Sequence, residues 1–152
     1  MSLLKYPILI FFFILGLNIT LQAQTNPKIM GKVGQFGLKS SIARGKVVYT
    51  NICLACHMAD GIGVPTMNPP LIKTSYVLGD KTALIKIVLN GFSEDVEING
   101  QKFSNNMAPH SDLTDVQIAD VLTYVRKSFG NNASAIKPSE VKKVRPAKKI
   151  LI

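Results

Sequence analysis

The chain has 152 residues, enough for one domain and hardly for two. Its formal net charge of +9 is unevenly spread: residues 41–130 hold eight basic and eight acidic residues and are neutral. The excess sits in two arms, and the longer, C-terminal one has no aromatic residue interleaved among its lysines, which argues against nucleic acid as a partner.

The first residues read as an address label. Lys5 is the only charge before residue 28, Ile8 to Leu17 is an unbroken apolar run, and Leu21-Gln22-Ala23 supplies a small residue for cleavage. That run is too short to span a bilayer comfortably. Residues 1–23 are therefore expected to be a signal peptide, with a retained anchor as the alternative, and the mature protein to work in the periplasm. Residues 24–40, with Gly31, Gly34 and Gly37 and the lysines at 28, 32 and 39, show no apolar period and read as a flexible linker.

The domain expected over 41–130 begins with a helix. Ser40 or Ser41 is its candidate cap, and Ile42, Val47, Val48 and Ile52 are its apolar face, running straight into Cys53. Residues 58–80 are punctuated by glycine and proline and read as loop. A second helix is expected over Thr82 to Asn90, closed by Gly91 in the left-handed region. Val96-Glu97-Ile98 and Gln101-Lys102-Phe103 flank Asn99-Gly100, a tight-hairpin signal.

The last helix is the clearest. Thr114 and Gln117 form a capping box, Ile118, Val121, Leu122, Val125 and Phe129 make one stripe, Arg126 and Lys127 suit the negative end, and Gly130 is the expected stop. Residues 131–152 form a basic tail, with Lys137, Lys142, Lys143, Arg145, Lys148 and Lys149 against Glu140 alone. It reads as a solvated, mobile arm; attraction to an acidic partner or weak association with an anionic membrane is the functional alternative. Two or three helices and long loops make a thin core, so something else should fill the middle.

Cys53-x-x-Cys56-His57 names that filling. The spacing puts two thiols on one turn, where each can add to a vinyl group of one porphyrin, and the adjacent imidazole falls beneath the iron; the pattern is that of covalent haem c attachment. A structural zinc site needs four ligands and would be one short, and a plain disulfide gives the histidine no role. One haem c is the expected cofactor, with His57 as an axial ligand.

For the sixth position the downstream candidates are Met58, Met67, Met107 and His110. Met58 is chained next to His57 and cannot reach the far face, and Met67 is read as core filling. Met107, after the hairpin and before Pro109, is the expected ligand, with His110 or an open position as the alternatives. The second ring nitrogen of His57 needs a hydrogen-bond acceptor, and a carbonyl within Asn68-Pro69-Pro70-Leu71 is suitably near in sequence.

With these residues in hand, the chain resembles a class I c-type cytochrome over about residues 41–145. The resemblance rests on Gly45 and Tyr49 ahead of CLACH, then DGIGVP, NPPL, the Asn99-Gly100 turn, the methionine loop and the closing LTDVQIADVLTYVRKSFGN. The wording is most similar to small bacterial cytochromes that serve copper nitrite reductases and membrane alcohol dehydrogenases. It implies an all-α fold whose first and last helices cross near Gly45 and Tyr124, His57 and Met107 as axial ligands, and the Pro69 carbonyl bonded to His57. It further implies a monomeric carrier of single electrons between a donor and an acceptor, a dehydrogenase, reductase or oxidase, rather than an enzyme; a subunit held permanently in one oxidoreductase complex is the alternative. Relatives usually have Met-Pro where this chain has Met107-Ala108-Pro109, and often tryptophan where Phe129 stands.

Overall fold

The computed structural model describes residues 27–146; the expected signal peptide and the apolar end Ile150-Leu151-Ile152 lie outside them. No helix of the described residues is long and apolar enough to cross a membrane. The chain divides into two compact units at Val33/Gly34, and the unit from Gly34 onward holds the core and both cysteines.

The elements run α1 (Pro27–Val48), a π-helical turn (Tyr49–Cys53), α2 (Leu54–His57), α3 (Ser75–Leu78), α4 (Lys81–Asn90), β1 (Val96–Ile98), β2 (Gln101–Phe103), α5 (Asp115–Lys127) and α6 (Pro138–Val144). The fold is all-α apart from the hairpin, as expected. Its core is formed by Tyr49, by Leu84, Ile85, Val88 and Leu89 of α4, by the buried stripe of α5, and by Ile136 and Val141.

Local chemistry accounts for the best-anticipated elements. The Thr114 hydroxyl accepts from the Gln117 amide at 3.2 Å while the Gln117 side chain accepts from the Thr114 amide at 2.9 Å, so two otherwise orphaned donors are satisfied. Asp80 caps α4 by accepting from the Ala83 amide. Asn99 (φ 53°) and Gly100 (φ 79°) adopt the left-handed pair that a two-residue hairpin requires. That register sets Glu97 opposite Lys102 and turns Val96, Ile98 and Phe103 to one face.

Several expectations are corrected. The stretch read as a linker at 24–40 is helical from Pro27, because three glycines lower helix propensity without ending a helix whose later turns are pinned by packing. Ser41 is therefore no cap; its hydroxyl lies inside α1 and donates to Asp120 at 2.6 Å. Val47 is 60% exposed, and the buried line runs instead through Gly45 of α1 and Tyr49 at the start of the turn that follows. α3, capped by the Thr74 hydroxyl, sits in the region read as loop. α5 ends at Lys127, three residues before Gly130.

The largest correction concerns the tail. Residues 131–145 fold back on the domain: Ile136 and Val141 are buried, and Lys81 holds both the Ala135 carbonyl (2.6 Å) and Glu140 (3.0 Å). Arg145 closes the strap on Asp115 (2.6 Å) and on the Ser111 and Leu113 carbonyls. The two buried aliphatics contribute about 1.5–3 kcal/mol each, and the Lys81 and Arg145 bonds add to their hold on the segment.

The crossing of α1 and α5 sets the frame. A Cβ on Gly45 would stand 2.0 Å from the Asp120 carbonyl oxygen and 2.8 Å from the Tyr124 Cβ, so only glycine permits this approach. Arg44 clamps the crossing by a two-pronged pair with the buried Asp120 (2.6 and 2.9 Å). Beside it Tyr49, Tyr124 and Phe129 form a triad with ring centres 5.3–5.6 Å apart.

Candidate haem site

The cysteine segment leaves α1 without a break, through the π-helical turn into α2. Its base is fixed from below: the buried Tyr49 hydroxyl donates to the Met58 carbonyl at 2.6 Å. Burial holds that phenol well above its usual range. Cys53 is half-buried, Cys56 is exposed, and they are not bonded to each other. Burial, with a smaller push from Cys56, raises the Cys53 thiol to about 11.

His57 Nδ1 lies 3.1 Å from the Pro69 carbonyl oxygen. A carbonyl only accepts, so Nδ1 carries the proton and Nε2 keeps its lone pair. Burial lowers the pKa of the ring, the Pro69 bond opposes this, and the charge of His110 lowers it further, so the imidazole is neutral and able to bind a metal.

The Pro69 carbonyl is itself well held. Pro69 and Pro70 have no amide to donate, so the segment is tied at its two ends. Val64 donates to the Asn68 carbonyl (2.9 Å), and Leu71 donates to the Gly61 carbonyl (2.8 Å). The buried Asn131 adds three bonds, donating to the Leu71 and Val125 carbonyls (2.9 and 2.8 Å) and accepting from the Lys73 amide (2.7 Å). Asn131 carried no local signal in the sequence; its role arises from a loop about sixty positions away.

A cavity of about 290 Å³ opens beside this loop. Cys53, Cys56, His57 and Pro69 line it, as do Met107 and His110. Aliphatic side chains of α4 and α5 and the apolar face of the hairpin supply most of the remaining wall. Met107 is positioned by its main chain, which exchanges two hydrogen bonds with Phe92 just after α4 (2.8 and 3.0 Å). Gly91 makes room for this, since a Cβ there would meet the Met107 carbonyl oxygen at 2.5 Å. Met67, read as core filling, is 52% exposed, and Met58 is 41% exposed; neither lines the cavity. Met67 contributes its carbonyl instead, accepting from the Asn105 amide at 3.2 Å.

Two thiols on one turn, a neutral imidazole beside them, a thioether lining the same space and a largely aliphatic wall fit an iron porphyrin attached through two thioethers. A helical domain wrapped on such a cavity defines a small haem-bearing electron-transfer protein. The cytochrome c family model matches residues 42–129, and the chain belongs to that family.

Among known proteins, the chain is 33% identical over 121 residues to cytochrome c-552 of Thermus thermophilus, covering 74% of this chain and 81% of that one. It is 35% identical over 111 residues to the cytochrome c subunit of a quinone-type alcohol dehydrogenase from Gluconobacter oxydans, covering 66% of this chain and 22% of the subunit. The gluconate 2-dehydrogenase cytochrome c subunit of Pantoea cypripedii is 35% identical over 94 residues, 60% of this chain and 21% of the subunit. The chain thus spans about a fifth of the length of those dehydrogenase subunits. It is a class I c-type cytochrome with one covalently attached haem c, and it carries electrons rather than catalysing a reaction.

Proposed function

We propose that Cys53 and Cys56 are the attachment sulfurs, that His57 and Met107 are the two axial ligands, and that the protein relays single electrons between redox enzymes outside the cytoplasm. The observation that carries this reading is the 3.1 Å contact from His57 Nδ1 to Pro69, with His57 and Met107 both lining one cavity beside the cysteine turn. When bound, haem c supplies an iron that alternates between the ferric and ferrous states.

The chain's own residues set the terms of that exchange. Pro69 fixes the His57 tautomer and turns the unprotonated nitrogen to the metal side. The Met107 thioether is a soft donor that favours ferrous iron and raises the potential relative to a second imidazole. Phe92 would hold the Met107 main chain in place beside the haem, through the two main-chain bonds they exchange. The exposed Cys56 leaves that side of the cavity at the molecular surface, where a partner can approach.

The donor and acceptor belong to the class of dehydrogenases, reductases or oxidases, and residues 1–23 are the export signal. The likeness to dehydrogenase cytochrome subunits favours a second reading, a subunit seated permanently in one complex. Size exclusion of a native extract separates the two, since a free carrier elutes alone. Ligation is tested by Met107→Ala. The variant is expected to lose the weak far-red absorption of methionine bound to ferric haem; survival of that band removes Met107 from the iron.

A further inference from the structure

Two loops border the cavity, and neither is held by regular structure over its middle. One carries Asn68 and Pro69 and the other carries Asn105 and Met107; all four residues line the cavity. Among the described residues, Asn105 alone joins the two loops by hydrogen bonds. Its side-chain amide donates to the Asn68 carbonyl oxygen Oδ1 at 2.7 Å, across 37 positions of sequence, and its backbone amide donates to the Met67 carbonyl at 3.2 Å.

The placement of this clasp gives it a use. Asn105 stands two residues before Met107, and Asn68 stands one residue before the carbonyl that faces His57. The other hydrogen bonds of the methionine loop lie from Met107 onward: Met107 with Phe92, the His110 amide with the Val88 carbonyl at 2.9 Å, the Leu113 amide with the His110 carbonyl, and the Ser111 and Leu113 carbonyls with Arg145. If the clasp opens, Met107 keeps its main-chain bonds to Phe92 and Phe103 stays paired in the hairpin, so residues 104–106 come away from the other loop and the segment loosens locally without unfolding. Asn105 and Met67 are exposed and Asn68 is half-buried, so water can replace the bond on opening, and the clasp is weak enough to be reversible.

We propose that Asn105 is a positioning residue for the Met107 thioether: its clasp on Asn68 and Met67 sets how often the methionine loop opens and lets an outside ligand reach the iron. This rests on the reading of Met107 as sixth ligand. Loss of one such hydrogen bond raises the open population about fivefold, which at 1.4 kcal/mol per decade corresponds to about 1 kcal/mol.

The test follows imidazole binding to the purified ferric holoprotein by its Soret shift. Asn105→Ala is expected to bind imidazole about fivefold faster than the parent, with the same far-red band before imidazole is added. Asn105→Leu, which keeps the approximate size and can neither donate nor accept, behaves like Asn105→Ala. Asn68→Asp, which keeps the acceptor, binds at the parental rate. Met107→Ala is the reference for an open position and binds much faster than all of these. A parental rate in Asn105→Ala together with fast binding in Met107→Ala overturns the clasp alone. A parental rate in Met107→Ala overturns the ligand reading and the clasp with it.

Discussion

Gly45→Ala tests the frame on which the site is built. The added Cβ would stand 2.0 Å from the Asp120 carbonyl oxygen, 2.5 Å from its carbon and 2.8 Å from the Tyr124 Cβ. None of these is the end of a flexible side chain, so no rotamer change relieves the clash. The helices must part by about 1 Å to bring the shortest contact to 3.0 Å, the closest approach that real Cβ atoms make. That movement stretches the Ser41 and Arg44 bonds to Asp120, now 2.6–2.9 Å, and loosens the Tyr49–Tyr124 contact. Overpacking of this kind costs about 1–3 kcal/mol and occasionally more. Weakening the bonds that satisfy the buried Asp120 carboxylate adds about 1–2 kcal/mol, and the better helix propensity of alanine returns about 1 kcal/mol. The expected net loss is about 2–3 kcal/mol, or roughly 10 °C in Tm for a domain of this size. Thermal unfolding of the ferric holoprotein, followed by far-ultraviolet circular dichroism and the Soret band, measures it. Val47→Ala, at a position 60% exposed two residues along, is the control and should shift stability by no more than about 0.5 kcal/mol. A Gly45→Ala protein melting within about 2 °C of its parent would refute the argument that the crossing depends on this close approach.

Asn131→Ala should cost about 2–3 kcal/mol, because Asn131 is only 6% exposed and loss of its side chain strands the Leu71 and Val125 carbonyls and the Lys73 amide. A guanidinium midpoint shift worth under about 1 kcal/mol would mean that water replaces those bonds. The C-terminal strap should loosen in acid. Burial pushes the Glu140 carboxyl up, but the Lys137 amide and the hydrogen bond and charge of Lys81 outweigh this and hold it below the ordinary value of 4.5. The folded state therefore prefers the carboxylate. Its contribution is fully present above pH 4.5 and is lost as pH falls through the lower folded value. Amide exchange across residues 136–145 should accelerate in that acid window before the α5 core opens, and Glu140→Gln should remove the pH dependence; identical profiles in the two proteins would count against the Lys81 contact.

What could be read from the sequence is what neighbours along the chain decide. The capping box at Thr114 and Gln117 closes within three residues, the hairpin turn needs only Asn99 and Gly100 in the left-handed region, and the apolar stripe of α5 follows the helical period. The Cys53-x-x-Cys56-His57 spacing carries its chemistry in five positions, and with it the cofactor. Contacts between distant positions decided the rest. Ser41 reads as a cap until Asp120, 79 residues on, takes its hydroxyl. Val47 reads as core until the crossing at Gly45 turns it outward. The tail reads as a charged arm because its lysines outnumber its anchors, yet Ile136, Val141 and Arg145 find partners on α4, α5 and the turn before α5. Which carbonyl faces His57, which asparagines join the cavity loops and why Asn131 is buried all depend on segments brought together only when the helices pack. Local torsional preference and periodicity are properties of a few consecutive residues; burial and long-range hydrogen bonding exist only once the chain has closed on itself.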